Sequence, residues 1–328
     1  MWGNRLGWGI SAAIAIVVIG SLAIYVQRAS TISEPTQFGR DIVDAGPLAL
    51  TVGPQAVLGS AGGDDCDAGQ RYSEAIALYN KSPRDYDGIA ASSGRVNTDL
   101  AEKLPAIQRL IEGSKCSRMN LFAPTPEQVV RYGEIPEIEA LVKVGKAAVR
   151  LGLGHQAAKR NDEAAKCYEA AFALGSKLFE ERLTHRELMA GLELMGEAGV
   201  GLSRLTFAGG DKARSDAATK FEAARRDLFN ARVQPASAAL ISIDPKVVSR
   251  HAGDVFYIAD NARERVWRVE AILSLGRMRF FVGEGGRIGD QRGAAKQLKR
   301  YLEDQDPVIR AAAKAALDLT REQMRMLG

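Results

Sequence analysis

Apolar and polar positions follow a helical period over most of this chain, with two exceptions near its start. The first is an uncharged run of 22 residues, Leu6 to Gln27, bounded by Arg5 and Arg28. As a helix it would be about 33 Å long, enough to cross a hydrocarbon core of about 30 Å. Trp8 and Tyr25 stand near its ends, where amphipathic rings favour the lipid interface. A transmembrane signal-anchor helix over 6–27 is therefore expected. A cleavable signal peptide is the alternative, because Ser21-Leu22-Ala23 offers small residues at suitable spacing. The apolar run continues through Ile24, Tyr25 and Val26, which favours retention. The second exception is the stretch 28–65, where Pro35, Pro47 and Pro54 and scattered glycines interrupt any period. It reads as a linker. Within it, Leu48 to Leu58 is more apolar than a solvated tether needs, and reads as a strand-like segment lying on the body or, alternatively, as a docking peptide.

From Cys66 onward apolar residues recur at spacings of three and four. The pattern predicts helices over roughly 68–80, 96–112, 126–133, 137–159, 161–181, 183–206, 211–230, 245–282, 291–304 and 307–326. Starts are marked by a capping residue followed by proline: Ser82-Pro83, Thr125-Pro126, Asp244-Pro245 and Asp306-Pro307. The cap side chain accepts from a free backbone N–H, and proline lacks the donor that would be orphaned there. Gln128, three residues after Thr125, completes a capping-box spacing. In the last helix Val308, Ala312, Ala315 and Leu319 form one apolar stripe, with Arg310, Lys314, Asp318 and Arg321 on the other side. Short connections between such helices force antiparallel hairpins. The expected fold class is all-α, an array of helix hairpins over 66–328 preceded by one membrane helix.

Part of this array resembles the tetratricopeptide-repeat family. In that hairpin a Leu-Gly pair in the first helix and small residues in the second let the helices approach, and an aromatic fills the space between them. Here Leu151-Gly152 is followed by Ala164, Tyr168 and Ala171, and Ala217, Phe221 and Ala224 repeat the second-helix spacing. Leu275-Gly276 with Ala294, Leu298 and Tyr301 is a looser copy, and Asp304 to Leu317 is similar to a HEAT-type helix start. The better matches lie 53 residues apart rather than the family's 34, His155 stands where an aromatic is usual, and Arg204-Leu205 replaces Leu-Gly. The resemblance is thus to a divergent α-solenoid, and it implies a concave surface that binds protein or peptide.

Charge and composition narrow the partners. The 328 residues carry 44 Lys+Arg against 40 Asp+Glu, and a net charge of +4 does not point to nucleic acid. The basic run Arg292, Lys296, Lys299 and Arg300 reads as a solvated face. Three cysteines do not make a disulfide scaffold. Cys66 and Cys116 each follow a polar loop at a helix boundary and can close one bond in an oxidising compartment, two free thiols being the alternative, while Cys167 reads as a packed apolar residue.

No candidate for catalysis or metal binding stands out. His155, His185 and His251 share no helical turn, so no zinc set is expected, and His185 among Glu180, Glu181, Arg182, Arg186 and Glu187 reads as a solvated face. Gly283 to Gly289 lacks the Lys-Ser/Thr of a phosphate loop. The chain is accordingly expected to be a non-catalytic, cofactor-free scaffold, tethered to a membrane with its body on the non-cytoplasmic side, a periplasm or extracellular space. Its partner-binding groove is placed at Arg150, His155 and Lys159. The alternatives are a structural self-associating envelope protein, and an enzyme or small-ligand receptor whose groups converge only in three dimensions.

Overall fold

The computed structural model of the chain describes residues 34–59, 64–92, 103–241, 252–278 and 298–327. The expected span over 6–27 lies outside them, and among the described residues no helix is long and apolar enough to cross a membrane. These residues are mostly helical, in agreement with an all-α class. In chain order the helices are α1 (Gln37–Asp44), α2 (Gln55–Leu58), α3 (Ala68–Tyr79), α4 (Pro83–Ala90), α5 (Pro105–Ser114), α6 (Pro136–Ala157), α7 (Asn161–Glu181), α8 (His185–Ala208), α9 (Lys212–Leu228), α10 (Gln234–Leu240), α11 (Ala252–Asn261), α12 (Arg265–Met278) and α13 (Pro307–Leu327). Two short strands, β1 (Asp64–Asp67) and β2 (Cys116–Arg118), pair in parallel beside α3 and α5.

Local chemistry explains most starts. Proline opens α4, α5, α6 and α13, and the carboxylates of Asp67, Asp211 and Asp306 and the Thr184 hydroxyl accept from the first-turn N–H groups of α3, α9, α13 and α8. Thr125 does not act this way. Its side chain caps nothing, and Pro126–Gln128 makes one 3₁₀ turn instead of a helix to 133. The helix expected over 96–112 begins at Pro105 among the described residues, and α4 begins at the marked Ser82-Pro83 start, for which no helix range was expected. The helix expected over 211–230 ends at Leu228 and widens into a π turn, Phe229–Val233. Pro235 lacks the N–H that would bond the Ala231 carbonyl, so the α register cannot run through. The long helix expected over 245–282 breaks between α11 and α12, where Glu264 turns inward to hold other chain segments.

The stretch expected to be a linker is a strap. Residues 34–59 form α1 and α2 joined by extended chain, held to the body along their length. Asp254, buried on α11, accepts from the Thr36 N–H at 2.7 Å and from its hydroxyl at 2.9 Å, so it supplies the N-terminal cap of α1 from another helix. Glu264 accepts from the Leu48 N–H at 2.7 Å and pairs with Arg182 at 2.8 Å. Arg214 donates to the Val57 carbonyl at 2.7 Å. Leu48 and Val57 are buried against the body. The Leu48–Leu58 stretch does lie on the helices, but as coil and a helical turn rather than a strand.

The centre of the molecule is α6 to α9. Three-residue turns, 158–160, 182–184 and 209–211, join them, so consecutive helices run antiparallel. Helix α8 packs on both α6 and α7, and α9 packs on α8. The approach is close because glycines face the contacts. Tyr168 of α7 is fully buried between Gly152 of α6 and Gly201 of α8; a Cβ at those positions would stand 2.8 and 2.5 Å from its ring. Leu151, Ala164 and Ala171 are buried beside it, and Phe172 meets Phe221 of α9 at 5.0 Å between ring centroids. Ala224 is buried, but Ala217 is only half-buried; α9 packs through Ser215, Ala218, Phe221, Ala224 and Leu228, which places Ala218 rather than Ala217 on the inner face.

Cys66 of β1 and Cys116 of β2 are bonded, S–S 2.12 Å, and Cys167 is a buried cysteine outside that bond. Of the basic run, Arg292 and Lys296 lie outside the described residues, Lys299 is exposed, and Arg300 pairs with Asp260 at 2.6 Å. Ala294 is likewise outside them, while Leu298 and Tyr301 are buried.

Candidate functional site

The residues expected to form a groove do not come together. Positions 150 and 155 are separated by about 140° around α6. Arg150 is half-buried, and His155 is 2% exposed, so its ring belongs to the core. Lys159 is exposed, but it lies past the helix end at φ 61°. There it closes the helix: the Arg160 N–H donates to the His155 carbonyl at 2.9 Å and the Lys159 N–H to the Gln156 carbonyl at 3.0 Å, a Schellman turn. Helix α8 ends in the same turn, with Gly210 at φ 83° and the Asp211 N–H donating to the Thr206 carbonyl at 2.9 Å. A lysine in the left-handed region is strained where glycine is not. Lys159→Gly is therefore expected to raise stability by about 1 kcal/mol, measured as a shift in the urea midpoint.

A polar corner sits where α7 turns into α8, in place of the expected solvated face. Glu187 is fully buried, and Glu181 accepts from the Phe122 and Ala123 N–H groups at 2.9 and 2.8 Å. The Leu183 N–H donates to Glu187 at 2.7 Å. Burial, then the neighbouring Glu181 carboxylate, pushes the Glu187 carboxyl well up, and burial also raises Glu181. Glu181 Oε2 and Glu187 Oε1 otherwise find no partner among the described residues, and a proton held between the two carboxyls satisfies both. Because the folded value exceeds the unfolded one of 4.5, this proton stabilises the fold at low pH, and the stability is lost as the pH rises toward the folded value. Glu187→Gln keeps a donor to Glu181 without a charge. The variant is expected to be more stable than wild type at pH 8 by about 1 kcal/mol, with a flatter melting profile against pH.

Beside this corner is a cleft of about 280 Å³ whose wall includes Tyr132, Glu139, His185, Arg186, Glu270 and Arg277. The His185 ring, pushed down to about 4 by burial and by Arg186, stays neutral at neutral pH. Its Nε2 lies 2.7 Å from the Ser237 hydroxyl, but that hydroxyl donates to the Val233 carbonyl at 2.6 Å, so the ring is the donor. Glu270 accepts from the His185 backbone N–H at 3.0 Å rather than from the ring. This geometry orients the start of α8 and does not activate a nucleophile. Arg186 is paired with Glu139, and Arg277 stacks over Tyr132 at 5.3 Å. Among the described residues no group of three or more His, Cys, Asp or Glu is placed to hold a metal ion.

A second surface feature lies between the C-terminal half of α8 and α9. A groove of about 370 Å³ runs over Gly199, Ser203, Ala218 and Ala223, with Val200, Arg204 and Arg226 on its rims. Val200 is 38% and Phe207 76% exposed, and among the described residues only Leu302 is another large exposed hydrophobic. Spaced at 200, 204 and 207, Val200, Arg204 and Phe207 make one stripe along α8. Sequence reasoning passed over it, although a signal was present: Val200 and Phe207 fall off the buried stripe of Leu194, Ala198 and Leu205.

The fold and the groove together define a mostly helical protein in which, among the described residues, one face of α8 carries exposed Val200 and Phe207. Comparison with protein-family models, with curated proteins and with solved structures finds no match in any of the three.

Proposed function

We propose that this chain is a membrane-tethered, non-catalytic helical scaffold, a divergent tetratricopeptide-like array that captures a protein or peptide partner. The observation that carries the reading is the open groove between α8 and α9, with Val200 on its edge and Phe207 exposed further along the same helix. Tyr168 wedged between Gly152 and Gly201, and the serial packing of α6 to α9, support the repeat-like part. The Cys66–Cys116 bond supports a body facing an oxidising, non-cytoplasmic compartment. The strap adds a distance constraint. If 6–27 is the anchor, only the six residues 28–33 separate it from Glu34, a reach of at most about 21 Å. The body then works at the lipid surface, which raises its effective concentration for membrane partners.

The polar cleft supports a small-ligand receptor less well, because its arginines already have partners: Arg131 pairs with Glu137 and Arg186 with Glu139. A photo-crosslinking residue at Ala223, in cells expressing the chain, is expected to give discrete adducts of membrane-proximal proteins; the same residue at exposed Ser73 on α3 should give none. Protease added outside sealed cells or spheroplasts should degrade the body. Absence of adducts at Ala223, or a protected body, would overturn the corresponding part of the reading.

A further inference from the structure

The groove between α8 and α9 has a counterpart inside the molecule that is already filled. Helices α6 and α7 present the same kind of antiparallel pair, and α8 lies across both. Small residues make that seat: Gly175 of α7 faces Gly191 of α8, and Gly201 faces Tyr168. One step further along, α8 and α9 offer a floor of Gly199, Ser203, Ala218 and Ala223. The N-terminal end of α8 is covered by α12, with His185 bonded to Glu270, whereas the half from Gly199 to Phe207 has no such cover among the described residues.

Two features say what fits there. The exposed stripe repeats at helical spacing, and the backbone of both helices is internally hydrogen-bonded, so the groove offers no edge to an extended peptide and suits another helix. The rim is positive: Arg204 is exposed with no ion partner among the described residues, and the one rim carboxylate, Glu222, is neutralised by Arg225 and Arg226, both at 2.7 Å. We propose that this slot binds an amphipathic helix of a partner protein whose apolar ridge is flanked by acidic residues, seated on Val200 and running on toward Phe207, with a carboxylate on Arg204. The proposal rests on the scaffold reading and gives the partner's chemistry.

The test uses the full-length chain in detergent and a fluorescein-labelled synthetic helix of about 18 residues, leucine on one face and glutamate beside it, by anisotropy. A matched peptide with lysine for glutamate is the control. The acidic peptide is expected to bind at least tenfold more tightly than the basic one. Arg204→Glu should weaken the acidic peptide about tenfold and improve the basic one, and Phe207→Ser should weaken both; each position is exposed, and unchanged melting curves check the fold. Equal binding of the two peptides, or affinities unmoved by both substitutions, would overturn the proposal. So would a wild-type dimer that Phe207→Ser turns monomeric in sedimentation, since a second copy would then be the occupant. Partner adducts at Ala223 without charge preference would leave the scaffold reading standing while this one falls.

Discussion

Gly191→Ala is expected to lower the unfolding free energy by about 3 kcal/mol, read from the shift of the urea midpoint at constant slope. The reason is that backbone, not side chain, meets this glycine. A Cβ there would stand 2.7 Å from the Gly175 carbonyl oxygen and 2.7 Å from the Phe179 nitrogen. Neither atom can rotate aside, so α7 and α8 must separate, and the packing of Leu174, Leu178, Leu194 and Met195 loosens with them. Gly175→Ala attacks the same contact from the other helix, so the double variant should cost less than the sum. Gly199→Ala is the control. Its Cβ would meet the Phe172 ring at an ordinary 3.4 Å, and alanine's better helix propensity should leave stability unchanged or raised by up to about 1 kcal/mol. Equal losses at 191 and 199 would mean that the close approach of α7 and α8 is not what the glycines serve.

Replacing both Cys66 and Cys116 by serine is expected to cost about 4 kcal/mol, from the entropy an open chain regains when a link across 50 residues is removed. The pair is replaced together so that no lone thiol is left to react. The effect should appear as a lowered thermal midpoint, matched in wild type by adding a reductant. The local consequence is specific. The link holds the parallel pairing of β1 and β2, Asp64 opposite Cys116, and with it the Asp67 carboxylate that accepts from Gly69 at the start of α3 and from the Asn120 N–H at 3.0 Å. A double variant that melts with wild type, reduced or not, would remove the bond from any account of stability.

How far the chain could be read in advance varied by element for physical reasons. Helices α6, α7, α8 and α13 were legible to within a few residues, because apolar residues recur at spacings of three and four along each, and α13 also has a marked start at Asp306-Pro307. The contact between Leu151-Gly152 and Tyr168 was legible only through the resemblance to the tetratricopeptide hairpin, where an aromatic fills the space beside that pair. Helix α1 was not. Its cap comes from Asp254, 218 residues away, and no local rule contains that partner. The same holds for His155. A histidine near a helix end suggests a surface, but the turn beyond it directs the ring inward, where it is 2% exposed. The acidic cluster around His185 misled for a related reason: Glu181 is matched by the Phe122 and Ala123 N–H groups and Arg182 by Glu264, all from other segments.

By itself the sequence determined the helical class and the approximate bounds of α6, α7, α8 and α13, because period and caps act over a few turns of chain. Only the tertiary structure decided that residues 34–59 are a strap, that Arg150, His155 and Lys159 share no surface, and that the open face lies between α8 and α9. Those outcomes depend on which stripes find a partner and which do not, and a helix carries no local record of the face its neighbours leave uncovered.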